Sequence, residues 1–424
     1  MAESIATAPP LKRHVAAVVI GNALEFYDFT TYAYFAAQIG RTFFPSQSPF
    51  VSLMASLAAF GIGFAARPVG AIVFGRYGDR VGRKPAMLLC FVLMGAAILL
   101  LALTPSYAAI GIAAPAIVVV ARLLQGLAVG GDVGPTTAFL FEAAPENRRG
   151  FYTALQYSSQ GASTLAGGIV GVTLSSLLDA QALTDYGWRI AFLLGAVILP
   201  IGFIIRRALP ETFHEAERAQ VVAKTATVPW RVIILGFFML GSTTIGFYVT
   251  AFMTTFASTV LHMKTNVSFG ATLVFGVANI VFSALSGILS DKYGRKPLMV
   301  WPRVAFALVI LPVFFLIIRN HDAVTLLSAT FVLGALGQMA VVGFVTMSEA
   351  IPKHMRSAGL AITYASAISI FGGSAQFNIA WLIHTTGNPM APAYYLLTAT
   401  IVGIVAMALM PETAPVILKR EAVP

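Results

Sequence analysis

Charge is scarce in this chain. Asp, Glu, Lys and Arg make up 10% of its 424 residues, against roughly a quarter in soluble domains. A surface so poor in charge cannot hold a chain of this length in water, which excludes an ordinary soluble domain and a disordered segment alike. Cysteine is nearly absent: Cys90 stands alone in an apolar stretch, so no intrachain disulfide can form. His, Cys, Asp and Glu never cluster at metal-ligand spacing, no nucleophile–base set appears, and no glycine-rich loop has phosphate-binding spacing. Hydrolysis, ATP coupling, a resident metal and an organic cofactor are therefore unsupported, and the chain does not read as an enzyme. Apolar–polar alternation over about ten residues is missing too, which excludes a membrane β-barrel.

What is abundant is apolar length. Hydrophobic residues reach 58% and mean hydropathy is +0.83. Runs long enough to cross a hydrocarbon core, about 20 residues each, recur from end to end. Six spans are expected in the first half of the chain, at roughly 14–37, 50–75, 85–104, 110–141, 148–178 and 188–208. Six more are expected at roughly 229–258, 267–290, 296–319, 323–349, 354–384 and 390–410. An even number puts both termini on one side of the membrane. Of 27 Lys and Arg residues, 20 fall in loops on that side, four (Arg41, Arg189, Lys264, Arg319) on the other, and three (Arg67, Arg122, Arg303) within spans. Basic residues stay where they need not be translocated, so the termini are expected in the cytoplasm and the net charge of +10 is a topology signal. The expected class is an all-α, multi-pass membrane protein, of bacterial inner-membrane type.

The chain also repeats itself. Gly75-Arg76-Tyr77-Gly78-Asp79-Arg80-Val81-Gly82-Arg83-Lys84-Pro85 returns 212 residues later as Gly287-Ile288-Leu289-Ser290-Asp291-Lys292-Tyr293-Gly294-Arg295-Lys296-Pro297. Glu142-Ala143-Ala144-Pro145 is echoed by Glu349-Ala350-Ile351-Pro352, and Pro210-Glu211-Thr212 by Pro411-Glu412-Thr413. Three markers in one order mean two parallel copies of a six-helix unit, an architecture of secondary transporters. The expected division is 1–208, a mixed-charge tether at 209–228, and 229–424.

The doubled Gly-x-x-x-Asp-[Arg/Lys]-x-Gly-Arg-Lys loop resembles the major facilitator superfamily. Gly21-Asn22-Ala23-Leu24-Glu25-Phe26-Tyr27-Asp28-Phe29, Arg67-Pro68-Val69-Gly70, Arg122-Leu123-Leu124-Gln125-Gly126 with Gly130-Gly131, and Phe371-Gly372-Gly373 narrow the likeness. They are similar to the metabolite:proton symporters, whose members carry citrate, tricarballylate, 2-oxoglutarate, shikimate, or proline and betaine. Asp132 stands where relatives often have Glu. The resemblance implies a twelve-helix, monomeric symporter that uses the proton gradient as its energy source. It implies import of a small organic acid, citrate-like tri- or dicarboxylates first. A zwitterionic osmolyte symporter and an organic-acid exporter or antiporter are the alternatives. No nucleic acid is expected as a partner.

Ionisable side chains inside a bilayer are costly and by default functional. In the first half they are Glu25, Asp28, Arg67, Arg122 and Asp132; the second half has no acid deep in a span. Proton coupling is therefore expected at Asp28, Glu25, Arg122 and Asp132. Asp28 and Arg122 reach similar depth and should pair, while Arg67 and Asp132 could form a packing or gating bridge. His384 is the reserve proton carrier, and Arg303 lies close enough to the cytoplasm to snorkel. Glu25, Asp28 and Tyr32 share a face of the first span, with Asn22 at its edge. Arg122 could instead clamp a substrate carboxylate with its planar fork. Gln156 and Gln160 lie on a polar stripe of the fifth span and are further substrate candidates, whereas Ser159 and Ser163 on that stripe suit interhelical packing. Tyr248, Gln376 and Asn378 are weaker substrate candidates, as are Asn279, Gln338 and Tyr364. The doubled loop implies a conformational latch of Gly75, Asp79, Arg83 and Glu142 in one copy and Asp291, Arg295 and Glu349 in the other. In it a carboxylate caps a helix of the opposite half while the arginine pairs with an acid.

Overall fold

A computed structural model describes residues 12–81, 83–207, 229–352 and 356–421. The expected tether at 209–228 lies outside the described residues. The side chains of Asp79, Arg83, Asp132 and Glu142 also lie outside what is described, although all four residues are within helices.

The first part of the chain forms α1 (Lys12–Tyr34), α2 (Ala36–Phe43), α3 (Pro49–Ala65), α4 (Arg67–Val81) and α5 (Arg83–Leu103). It continues with α6 (Ala113–Glu142), α7 (Arg149–Leu177) and α8 (Trp188–Arg207). The second part forms α9 (Trp230–Ala251), α10 (Met253–Thr259), α11 (Thr265–Tyr293), α12 (Arg295–Asn320) and α13 (Ala323–Gln338). It continues with α14 (Gly343–Ala350), α15 (Arg356–Ala367), α16 (Gly373–Thr386) and α17 (Ala391–Leu409), and a short helix at Pro415–Glu421 follows. Among the described residues, nine helices are long and apolar enough to cross a membrane. α1 and α7 are of similar length but carry the polar residues that the sequence singles out.

The exterior is apolar and the interior holds the polar groups. Trp301, Leu308 and Val324 are 71%, 72% and 77% exposed, whereas Asn22, Arg122 and Arg303 are each 0% exposed. That distribution suits a hydrocarbon solvent and would aggregate in water.

Several expected spans are interrupted along their length. α1 passes into α2 at Phe35, α9 into α10 at Phe252, and α13 stops at Gln338 before α14 resumes at Gly343. A π-type turn at Ile368–Gly372 joins α15 to α16. Such breaks re-aim side chains and are common beside functional sites.

Two seams join the first and second parts of the chain. Along one, α7 lies against α11 over most of its length. Along the other, α3 meets α16, and Ser369 donates to the carbonyl of Phe64 at 2.8 Å. The closest approach in the second seam is Gly61 on Gly373, where an added Cβ would sit 2.6 Å from the Gly373 carbonyl oxygen.

Candidate functional site

The centre of the bundle holds a relay built on α1 and α6. Asp28 is 1% exposed, and Arg122 and Gln125 are 0% exposed. Gln125 Nε2 donates to Asp28 Oδ2, and Gln125 Oε1 accepts from Arg122 Nη1. The expected direct Asp28–Arg122 pair therefore does not form; an amide stands between carboxylate and guanidinium. Gln125 lies three residues after Arg122, on the same helical face, and a primary amide can donate at one atom while accepting at the other. Asp28 Oδ1 and Arg122 Nε and Nη2 make no hydrogen bond. The adjacent Gly126 sets the position of this segment. A Cβ there would lie 1.8 Å from the carbonyl oxygen of Gly63, so only glycine lets α6 close on α3.

Aromatic rings box the guanidinium. Arg122 Cζ lies 4.4 Å from the Tyr32 ring centre, 5.0 Å from Phe29 and 5.2 Å from Phe60. Arg67 sits in the next compartment, 4.5 Å from Phe29 and 4.1 Å from Phe64. Tyr248 of α9 closes the box from the second part of the chain, 6.0 Å from Phe60 and 5.5 Å from Phe64. Each cation–ring contact contributes about 0.5–2 kcal/mol, most where water is excluded. Glu25 is buried one turn before Asp28 on α1, 2% exposed.

The neutral candidates divide. Asn22 Nδ2 donates to Ser159 Oγ at 2.6 Å and to the Gln156 carbonyl at 3.3 Å, while Gln156 Oε1 accepts from Thr137 at 2.6 Å. These contacts hold α1, α6 and α7 together, as does Ser163 donating to the Ala23 carbonyl. Gln160 is buried on the same stripe at 8% exposure. In the second part of the chain, Ser283 donates to Asn279 Oδ1 at 3.0 Å and to Gln338 Oε1 at 3.2 Å. Gln376 is 1% exposed, and neither amide atom has a hydrogen-bond partner. Asn378 lies against Tyr395 of α17, and Tyr364 packs on Phe344 at 5.7 Å.

One further expectation fails. Arg303 does not snorkel: it is 0% exposed and donates from Nη2 to Ser242 Oγ at 3.0 Å. The hydroxyl-bearing Ser242 and the bare backbone of Gly246 leave room for its side chain to turn inward. His384, the reserve candidate, lies exposed near the end of α16, stacked 3.7 Å from the ring centre of Phe50.

At the opposite end of the bundle the residues of the second loop copy meet in one cluster. Asp291 accepts from the backbone N–H groups of Gly150 at 2.8 Å and Phe151 at 2.9 Å, which open α7 in the first part of the chain. Arg295 donates to Asp291 at 2.7 Å and reaches Glu349 with Nη2 at 3.0 Å. Gly294, at φ 104°, makes the turn between α11 and α12 in backbone space that glycine favours. The sequence reading missed one member. Glu412 accepts from the N–H groups of Arg295 and Lys296, each at 2.9 Å, and so caps α12. Its neighbour Thr413 donates to Glu349 at 2.8 Å. The Pro411-Glu412-Thr413 repeat marked these residues without revealing their contacts. Of the first copy, Gly75 is exposed with open space around it. Among the described residues no group of His, Cys, Asp and Glu could hold a metal ion.

Comparison with known proteins fits this architecture. The citrate-proton symporter of Salmonella typhi is 34% identical over 93% of this chain and 92% of its own length. The proline/betaine transporter of Escherichia coli (strain K12) is 29% identical over 95% of this chain and 84% of its own. The xylose transporter XylE from E. coli, in a partially occluded inward-open conformation, shares the fold with a TM-score of 0.78 at 17% identity, covering 95% of this chain and 98% of its own. A family model described as Major Facilitator Superfamily matches residues 18–377. With its multi-pass helical bundle and its buried polar centre, the chain belongs to the Major Facilitator Superfamily, a family of transporters rather than enzymes.

Proposed function

We propose that the protein is a proton-coupled symporter importing a citrate-like di- or tricarboxylate by alternating access. Its two six-helix halves, 1–208 and 229–424, would rock about the buried centre, with both termini in the cytoplasm of a bacterial-type inner membrane. The observation that carries this reading is the unpaired Nε–Nη2 edge of Arg122, sealed among aromatic rings and tied through one amide to one carboxylate. That edge is the half of a guanidinium fork that grips a carboxylate with two parallel hydrogen bonds.

Coupling follows from the bridge. With Asp28 ionised, Gln125 is held between the carboxylate and Arg122. Protonation of Asp28 removes the negative charge that anchors Gln125 Nε2, and so frees Arg122 to favour an incoming anion. Proton and carboxylate then bind in support of each other, which is the requirement for symport. Glu25, one turn away on α1, is the second carboxyl able to carry the proton, and Gln376, with both amide atoms free of partners, offers neutral contacts from the other half. The two states would differ at the latch, where Asp291 ties the second half to the start of α7 in the first and Arg295 holds Asp291 in place.

One observation favours a second reading. The ring box of Phe29, Tyr32, Phe60, Phe64 and Tyr248 resembles a cage for a quaternary ammonium group, and a proline/betaine transporter is among the relatives. The box already contains Arg67 and Arg122, however, and both would repel an ammonium head, so the carboxylate is the better fit. Uptake of labelled citrate into proteoliposomes under an inward proton gradient decides between them. Accumulation abolished by a protonophore, blocked by excess tricarboxylate and unaffected by betaine supports the proposal. Betaine accumulation without carboxylate competition, or sodium-dependent uptake that survives the protonophore, refutes it.

A further inference from the structure

A second group of cations converges far from the relay. At the end of the bundle opposite the latch, a cleft of about 390 Å³ opens between the segment after α1, the α5–α6 connection and the start of α8. Its lining includes Arg41, Thr42, Ser106, Tyr107, Asp185 and Arg189. None of these residues belongs to the Asp28–Gln125–Arg122 relay or to the ring box around it. A volume of this size is in the range of small-ligand sites.

The electrostatics of the lining are lopsided. Arg189 donates to two carbonyls, Thr104 at 2.6 Å and Asp185 at 3.3 Å, and stacks 4.3 Å from the centre of the Trp188 ring. Neither Arg41 nor Arg189 has an ion-pair partner among the described residues. The one acid, Asp185, turns both carboxylate oxygens to the amide of Gln181, at 3.0 Å each. Two guanidinium groups thus face one cleft against a single carboxylate that forms an ion pair with neither, and one of the two is fixed by carbonyls and a ring. Cations are disfavoured on the translocated side, and in the proposed orientation only Arg41, Arg189, Lys264 and Arg319 are there. Two of those four meet in this cleft.

We propose that the cleft is an outer anion-capture site, which takes a soluble di- or tricarboxylate before it enters the central pathway. The proposal rests on the carboxylate reading of the central site, but the cleft can be tested alone. Trp188 is its built-in reporter. The other three tryptophans, Trp230, Trp301 and Trp381, are 63%, 71% and 49% exposed on the bundle exterior, so replacing them with Phe leaves Trp188 as the only indole emitter. The purified protein in nanodiscs of zwitterionic lipid is then titrated with citrate.

A citrate-dependent change in Trp188 emission is expected. It should persist in Arg122→Gln with its midpoint unchanged, and Arg41→Gln should raise the midpoint about five- to tenfold, the loss of one charge-assisted contact. Arg41 is exposed, so this variant does not depend on refolding a packed residue, as Arg189→Gln would. Three outcomes overturn the proposal: no citrate-dependent emission change in any background; a signal lost in Arg122→Gln but intact in Arg41→Gln; or the same change produced by phosphatidylglycerol in the disc without citrate, which would make the occupant a lipid phosphate. Transport lost in Arg122→Gln with the emission change retained would separate the two sites. A central site that handles no carboxylate would show in the uptake assay and leave the Trp188 titration readable.

Discussion

In the first half of the chain the buried centre holds Glu25, Asp28, Arg67 and Arg122. The second half offers the buried but neutral Ser283, Asn279, Gln338 and Gln376, while its buried Arg303 donates to Ser242. The loop motif between the second and third spans recurs in the second half with its Gly, Asp and Gly-Arg-Lys-Pro positions intact, six of eleven residues; the buried polar set does not recur. The repeat is kept in the loops that meet a helix of the other part, as Asp291 does at the start of α7, and is lost in the buried polar set. Coupling a proton to a substrate needs only one titrating carboxyl and one cation. A second set in the opposite half would add desolvation that nothing offsets.

The largest effect that would break this comparison lies at the relay. Asp28→Asn should abolish proton-driven accumulation while leaving substrate exchange intact, because the amide imitates the protonated carboxyl. Glu25→Gln gives the same split if Glu25 is the carrier. Arg122→Lys keeps the charge but loses the fork and should weaken carboxylate affinity by roughly 10- to 100-fold. Normal accumulation with an unshifted pH profile in all three would move the coupling site elsewhere.

Gln125→Leu is the next test. It leaves both charged groups but removes the amide between them, so the pH dependence of uptake should flatten and the accumulation ratio fall about tenfold. An unchanged profile would mean that Asp28 and Arg122 communicate without the bridge.

At the latch, Asp291→Asn should spare ligand affinity and speed opening of that end. The lost charge at the α7 N-terminus is worth about 1–2 kcal/mol, read as a lower unfolding temperature and a faster exchange rate. Asp79→Asn, in the first copy, is expected to disturb alternation more strongly. A smaller effect at Asp79 than at Asp291 would reverse the order of the two copies. Glu412→Gln should have the smallest effect, about 0.5–1 kcal/mol of stability with transport retained, measured by thermal shift.

The sequence made the bundle legible because apolar length and a repeated loop are one-dimensional signals. The fourth span, expected at roughly 110–141 from its hydropathy, is Ala113–Glu142 in the structure. Asp28 and Arg122 were equally visible, since an ion in a run of leucine and alanine has few bland explanations. Gln125 was not, because an uncharged amide differs little from other polar residues on membrane helices, and only its position between two ions sets it apart. Arg303 misled for a related reason. Depth alone suggested an escape to the surface, but the direction of the side chain is set by small neighbours on α9 that no spacing rule identifies. The break between Gln338 and Gly343 contains no proline, so nothing in composition announced it.

The cap on α12 also has a consequence for biogenesis. Glu412 and Thr413 follow every membrane helix described here, so they are made after Asp291, Arg295 and Glu349 are already in place. Until they emerge, two amides of α12 lack their carboxylate and Glu349 lacks its hydroxyl donor. This cluster is therefore completed from the C-terminal end of the chain, and a nascent polypeptide stalled at Met410 would carry Ala391–Leu409 and every long helix before it with the start of α12 still uncapped.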